Sequence, residues 1–346
     1  MSFRAWLSIV TFILIGVIIF FARHELAHAW DLLARVNIWI LLLLIPGQLL
    51  VYFASGEMMF SYLRAKKSIE KASPLALARM SLEMNFVNHI LPSGGVSGIS
   101  YMGWRLGHLG VSPGRAIMAQ MVRFAMGFVA FIALLIVAVI VVTIDGNINR
   151  WIILVSSALA GLMLGAIVVG AFLLTSPNRV LTFAKWLTKT ANRLVKKVTF
   201  GHVRNILVHD KVETFFTELQ HDYVALMRDK RVLVKPLMWG VVFTLADVSL
   251  FCITFWALGE PVNPAPILIA YGVATSAAFF VVTPGGAGAY EALMVVFLSF
   301  AGILQGAAIA GIVLTRVFVL LGTIGLGYLF YQHALIKYGK NKRPAL

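Results

Sequence analysis

Two long uncharged apolar runs limit this chain before any motif is considered: WLSIVTFILIGVIIFFA at 6–22 and FVAFIALLIVAVIVV at 128–142. Neither leaves a polar face for water, and each approaches the roughly 20 residues that cross a bilayer core. Composition agrees: 60% of the 346 residues are hydrophobic and 12% are charged, against about 45–50% and 25% in ordinary soluble domains. The hydrophilic segments are too short for a separate catalytic domain, the longest running from Pro177 to Lys235. The chain therefore reads as a single transmembrane domain over residues 1–346, all-α and polytopic. Cys252 is the only cysteine, which excludes an intrachain disulfide and a cysteine metal cluster. The first run follows Arg4 like a signal peptide, but ARHE follows it instead of a small-residue cleavage site. It reads as a retained first span.

Six segments have the length and character of full spans: Ala5–Ala22, Val36–Phe60, Ala116–Thr143, Trp151–Thr175, Pro236–Leu258 and Ala307–Ala334. Two regions do not fit that description. Residues 74–110 carry Arg79, Glu83, Asn85, Asn88 and His89 before the breaker run PSGG, and residues 266–302 are apolar but cut by TPGGAG. Each half is short for a crossing, so both regions read as re-entrant helical hairpins with Gly-rich tips inside the membrane. Irregular backbone at that depth has to be buried in protein or line a wet cavity.

The two regions also match each other. Pro92 placed on Pro284 superposes the tips, brings Gly110-Val111 onto Gly302-Ile303, and sets Arg123 within one residue of Arg316. Three spans lie between, an odd number, so the second copy is inverted. The expectation is an inverted repeat with units at about 74–143 and 264–335, the pattern of many secondary transporters.

A net charge of +15 invites a nucleic-acid reading, and its distribution argues against one. Arg64, Lys66, Lys67 and Lys71 follow the second span, twelve basic residues lie between Arg179 and Lys235, and Lys337, Lys340, Lys342 and Arg343 close the sequence. The alternate loops are nearly free of Lys and Arg. This is the positive-inside pattern, with both termini on the cytoplasmic side of the cell membrane. Within 177–235, Val208, Val212, Phe215, Phe216, Leu219, Tyr223 and Leu226 recur at helical spacing, which predicts amphipathic basic helices lying on the cytoplasmic leaflet.

Three groups of residues could carry function. The hairpin tips come first. A Pro-Gly-Gly break lets a new half-helix begin inside the membrane, and its N-terminal N–H groups suit a phosphate or carboxylate. That singles out Pro92, Gly94 and Gly95 in the first tip and Pro284, Gly285, Gly286 and Gly288 in the second. Second are charges set in apolar surroundings: Arg123 and Arg316 for an anionic group, Glu291 beside the second tip, and Glu57, Glu83 and Asp247 as charge or proton partners. An ionisable residue at such depth is costly and usually faces a partner or a cavity. Third, His24-Glu25-Leu26-Ala27-His28 matches H-E-x-x-H, in which His24 and His28 could hold zinc with Glu25 as base. No third ligand accompanies it, and the topology puts it at the outer end of the first span. No metal or other cofactor is therefore expected, and an intramembrane metalloprotease is the weaker alternative.

The segments NHILPSGG, GHLGVSPGRAIMAQMVRF, TPGGAGAYEALMVVFLSFAGI and AAIAGIVLTRVFVLL resemble the flippase-like transmembrane region of lysylphosphatidylglycerol synthases, a region also found as a bacterial and archaeal membrane-protein family. The likeness covers nearly the whole chain and is most specific at PGG-x-G-x-x-E and the later arginine, which supports Pro284, Gly285, Gly286, Gly288, Glu291 and Arg316. Where many members carry a Glu after the first glycines, this chain has Val96-Ser97-Gly98. The resemblance implies lipid translocation or binding between leaflets, without the soluble aminoacyl-transferase domain of the complete synthases. The expected ligands are lipids with anionic or zwitterionic headgroups, of the aminoacyl-phospholipid or polyprenyl-phosphate type. A membrane-embedded transferase related to phosphatidylglycerol lysyltransferase is the alternative, and a soluble enzyme partner or a homo-oligomer is left open.

Overall fold

The computed structural model describes residues 36–70, 72–90, 96–144, 150–198, 209–278 and 288–338. Among them the chain is helical, without strands. A single turn, α1 (Ile38–Leu41), leads into α2 (Leu44–Ala65). Two short helices, α3 (Pro74–Ile90) and α4 (Val96–Gly107), precede the long α5 (Pro113–Ile144). Next come α6 (Arg150–Leu174), α7 (Pro177–Val198), α8 (His209–Arg228) and α9 (Val234–Ala257). A second short pair, α10 (Pro264–Ala278) and α11 (Ala289–Phe300), precedes the long α12 (Gln305–Tyr338). Among the described residues five helices are long and apolar enough to cross a membrane: Ile38–Ala65, Pro113–Ile144, Ile153–Leu174, Lys230–Ala257 and Gln305–Tyr338. They correspond to the second to sixth expected spans; the first, Ala5–Ala22, lies outside the described residues.

The order span, short pair, long helix occurs twice, over α2–α5 and over α9–α12, and the caps agree in detail. After α4, Gly110 takes φ +81°, and after α11, Gly302 takes φ +83°. Each closes its helix in the same way. Val111 N–H bonds to the Leu106 carbonyl and Ile303 N–H to the Leu298 carbonyl, both at 3.1 Å, with Gly110 and Gly302 N–H bonding three residues back. This is the Schellman arrangement, in which a left-handed residue lets the chain satisfy the last carbonyls and turn away. The span before each short pair ends alike, through Lys67 at φ +54° and Gly259 at φ +82°. Both pairs of caps stand 192 positions apart, as do Pro92 and Pro284.

Packing between the units is reciprocal. The first short pair lies against α12 and the second against α5, while α2 and α9 form the central contact. Two glycines allow the close approach. An added Cβ on Gly327 would stand 2.4 Å from Phe86 Cβ, and one on Gly272 would stand 2.1 Å from Phe131 Cζ. The hairpins open to opposite ends of the molecule. Arg105, near the end of α4, covers the ring of Tyr338, the last described residue of α12, whereas Gly302 and Ile303 lead directly into the start of α12. At about 1.5 Å per residue the 34 residues of α12 separate those ends by roughly 50 Å.

The amphipathic segment differs in part from expectation. Helix α8 does not lie free on a leaflet. Its Leu219 and Leu226 are buried, and Phe216 and Tyr223 pack with them, in the cluster that also holds Met59, Leu77, Met102 and Val122. An ion pair fixes it there: Arg115 Nε stands 3.4 Å from Oδ2 of buried Asp222, and Arg115 Nη1 donates to Ser68 Oγ at 3.2 Å. An apolar helical face finds protein as readily as lipid when a core offers it a groove. Helix α7 keeps exposed Trp186 beside a face rich in Lys and Arg.

Candidate functional site

The polar residues expected inside the membrane form three separate groups, with Glu57 apart from them. The most enclosed is in the first hairpin. Glu83 accepts from Arg105 Nε at 2.7 Å, from Arg105 Nη2 at 3.5 Å and from the Tyr101 hydroxyl at 2.9 Å. The two charged side chains are only 3% and 7% exposed, and the guanidinium lies 4.2 Å from the Tyr338 ring centroid. Glu83 is thus enclosed by its own hairpin and the end of α12. Glu57 pairs with Arg64 two turns along the same helix.

The second group is built around Arg316, on α12 about 16 Å beyond its start by helical rise. Arg316 Nε donates to Glu291 Oε1 at 2.8 Å, and the guanidinium carbon lies 4.4 Å from the Tyr290 ring centroid. The other Glu291 oxygen, Oε2, accepts from Gly288 N–H at 2.7 Å. Glu291 therefore caps the helix on which it stands, reaching back to its first free donor, while holding the arginine of the next helix. Asp247 of α9 accepts from the Tyr271 hydroxyl at 2.6 Å. It lies within electrostatic reach of Arg316, as does His89 of the first hairpin. Both units and the central span thus converge on Arg316. The Arg316–Glu291 pair keeps 23% and 22% of its side-chain surface exposed, so a ligand can reach it, unlike Glu83–Arg105.

The third group surrounds Arg123, about 15 Å into α5 by helical rise. Its Nη1 donates to the hydroxyl of buried Ser55 at 3.1 Å, and the guanidinium carbon lies 4.7 Å from the Phe124 ring centroid. Its Nε is buried without a hydrogen-bond partner.

Of the residues singled out in sequence, Pro92, Gly94, Gly95, Pro284, Gly285 and Gly286 lie outside the described residues, as do His24 and His28. Among the described residues no group of three His, Cys, Asp or Glu side chains is placed to hold a metal. At each half-helix start, one described backbone donor already has a partner within the protein. Gly98 N–H, on the first turn of α4, donates to Asn88 Oδ1 at 2.9 Å, as Gly288 N–H does to Glu291. Sequence reasoning missed Ser55, Arg105, Gln120, Tyr271 and Tyr290. A signal existed for Arg105 and Gln120, polar residues inside apolar helices, but nothing in the sequence showed which carboxylate would meet which arginine.

The fold and these groups define a polytopic α-helical membrane protein with two related units meeting at an arginine-centred polar core. The match to the lysylphosphatidylglycerol synthase TM region spans residues 6–327, and the chain belongs to that family. It is also 22% identical over 203 residues to a UPF0104 membrane protein of Methanothermobacter thermautotrophicus, 58% of each chain. The match thus spans a little over half the length of that relative.

Proposed function

We propose that this protein binds a lipid with a charged headgroup near the membrane midplane and moves it between leaflets. The observation that carries this reading is the partly accessible Arg316–Glu291 pair, set on an intramembrane half-helix where elements of both units converge. A partly exposed ion pair contributes little to stability, about 0–1 kcal/mol, so giving up its internal partner costs the protein little. An ion pair open to its surroundings can exchange its internal partner for a ligand charge. Arg316 and Arg123 would meet the anionic part of the headgroup, and Glu291 or Asp247 would meet a cationic part or take up a proton. Rocking of one unit against the other, about the α2–α9 contact and the glycine-mediated contacts at Gly272 and Gly327, would open the core to each leaflet in turn. The charge distribution favours a cell-membrane location with both ends cytoplasmic, and the basic face of α7 would then lie against anionic headgroups.

The test is lipid movement in proteoliposomes containing the full chain, followed with a headgroup-labelled phospholipid and an impermeant quencher. Arg316→Ala and Glu291→Ala should each slow movement at least tenfold, the effect of losing about 1.4 kcal/mol of stabilisation. Unchanged movement in both variants would sink the proposal.

A further inference from the structure

The two units place an arginine at nearly the same depth and surround it differently. Arg316 meets Glu291 directly and has Asp247 within electrostatic reach. At the 192-residue offset that relates the caps, the first unit has Ile99 where the second has Glu291, and Ser55 where it has Asp247. Both carboxylates are thus replaced by neutral residues in the first unit, and Arg123 donates to the hydroxyl of Ser55 where Arg316 donates to a carboxylate. The exchange runs the other way at one position: Ile312 of the second unit corresponds to Gln120 of the first. Gln120 stands one turn before Arg123 on the same face of α5, the spacing at which side chains are neighbours. It is 2% exposed, yet neither its Oε1 nor its Nε2 has a hydrogen-bond partner, and Arg123 Nε has none. Leaving such groups buried and unpartnered is expensive. Here they are close together on one helix, next to the Ser55 hydroxyl that already holds Arg123.

We propose that Arg123, Gln120 and Ser55 form a seat for one phosphate-class anion, and that Glu291 fills the corresponding role at Arg316 as a built-in anion. The seat deepens the lipid-translocation reading and rests on it for the ligand's lipid character. Its donors, a guanidinium, an amide N–H₂ and a hydroxyl, suit the several acceptor oxygens of a phosphoryl group. The capped half-helix starts point the same way. Gly98 N–H is held by Asn88 and Gly288 N–H by Glu291, whereas Arg123 Nε and the buried Gln120 amide have no hydrogen-bond partner. The two units therefore do unlike work: the first receives the ligand's charge, and the second carries a replaceable internal one.

The experiment is native mass spectrometry of the full chain in detergent, titrated with phosphatidylglycerol and, as a control without phosphate, with diacylglycerol. The wild type should retain one phosphatidylglycerol and no diacylglycerol. Arg123→Gln and Gln120→Leu should each weaken retention about tenfold, as loss of one charge-assisted or buried hydrogen bond would. Gln120→Leu should also raise the unfolding temperature, because it removes two buried polar atoms without partners. A Gln serving only structure would lower it. Glu291→Gln removes the built-in anion and should raise retention from one lipid to two. Displacement by millimolar inorganic phosphate would assign the seat to the free anion, and retention in its presence would assign it to the headgroup; each supports a phosphate seat. The proposal is overturned if Arg123→Gln and Gln120→Leu bind as the wild type does, or if Glu291→Gln still retains one. Binding in detergent does not depend on movement. Retention without translocation sinks the transport reading alone, and translocation indifferent to Arg123→Gln sinks the seat alone.

Discussion

Replacing Glu83 by Ala should destabilise the protein far more than replacing Glu57, although both are carboxylates paired with arginine. Arg105 is 7% exposed and Arg64 is 43% exposed. Without Glu83, the Arg105 guanidinium stays buried and loses contacts at 2.7 and 3.5 Å. Breaking a buried pair from one side costs about 3–5 kcal/mol. The Tyr338 ring, 4.2 Å away, still faces the cation and offsets about 1 kcal/mol of that loss. The expected net cost is about 2–4 kcal/mol. Without Glu57, Arg64 turns to solvent or headgroups, and the cost should stay below about 1 kcal/mol, as for exposed pairs. The assay is unfolding in mixed micelles with rising sodium dodecyl sulfate, followed by tryptophan fluorescence. A Glu83→Met, Arg105→Met double variant should recover most of the loss, since apolar side chains of similar size can replace a buried pair. If Glu83→Ala costs no more than Glu57→Ala, or the double variant is worse than either single one, the enclosure argued for this pair is refuted.

Two further substitutions test the interface between units and the caps. Gly327→Ala should cost about 1–3 kcal/mol, because its Cβ would press on Phe86 Cβ, an atom too near the backbone to move aside. Gly325→Ala on the same helix has nothing within 4 Å and should be neutral or stabilising in the same unfolding assay. Gly110→Ala and Gly302→Ala should each cost about 1–2 kcal/mol, because a Cβ is strained at φ +81° and +83°. Thermal unfolding of the purified variants measures it, and equal midpoints for Gly110→Ala and wild type would contradict the observed cap.

Much of the architecture was legible because membrane helices announce themselves by length and apolarity. The second to sixth expected spans match observed helices to within a few residues, and the duplicated order of short pair and long helix follows the match of Pro92 with Pro284. The amphipathic segment was less legible. Helical spacing shows that Phe216, Leu219, Tyr223 and Leu226 share a face, but not whether lipid or protein covers it. Asp222 settled that for α8 by pairing with Arg115, a residue 107 positions earlier in the chain.

The ionisable residues divide in the same way. The sequence by itself determined that Arg123, Arg316, Glu83, Asp247 and Glu291 lie among apolar residues, where each charge requires a partner or a cavity. Only the tertiary structure decided the pairing. It enclosed Glu83 with Arg105, joined Glu291 to Arg316 in a pair still open to its surroundings, and set Arg123 against the hydroxyl of Ser55. The physical reason is range. Helical periodicity fixes which face a side chain shares over a few turns, whereas compensation of a charge depends on groups brought within a few ångströms from distant parts of the chain.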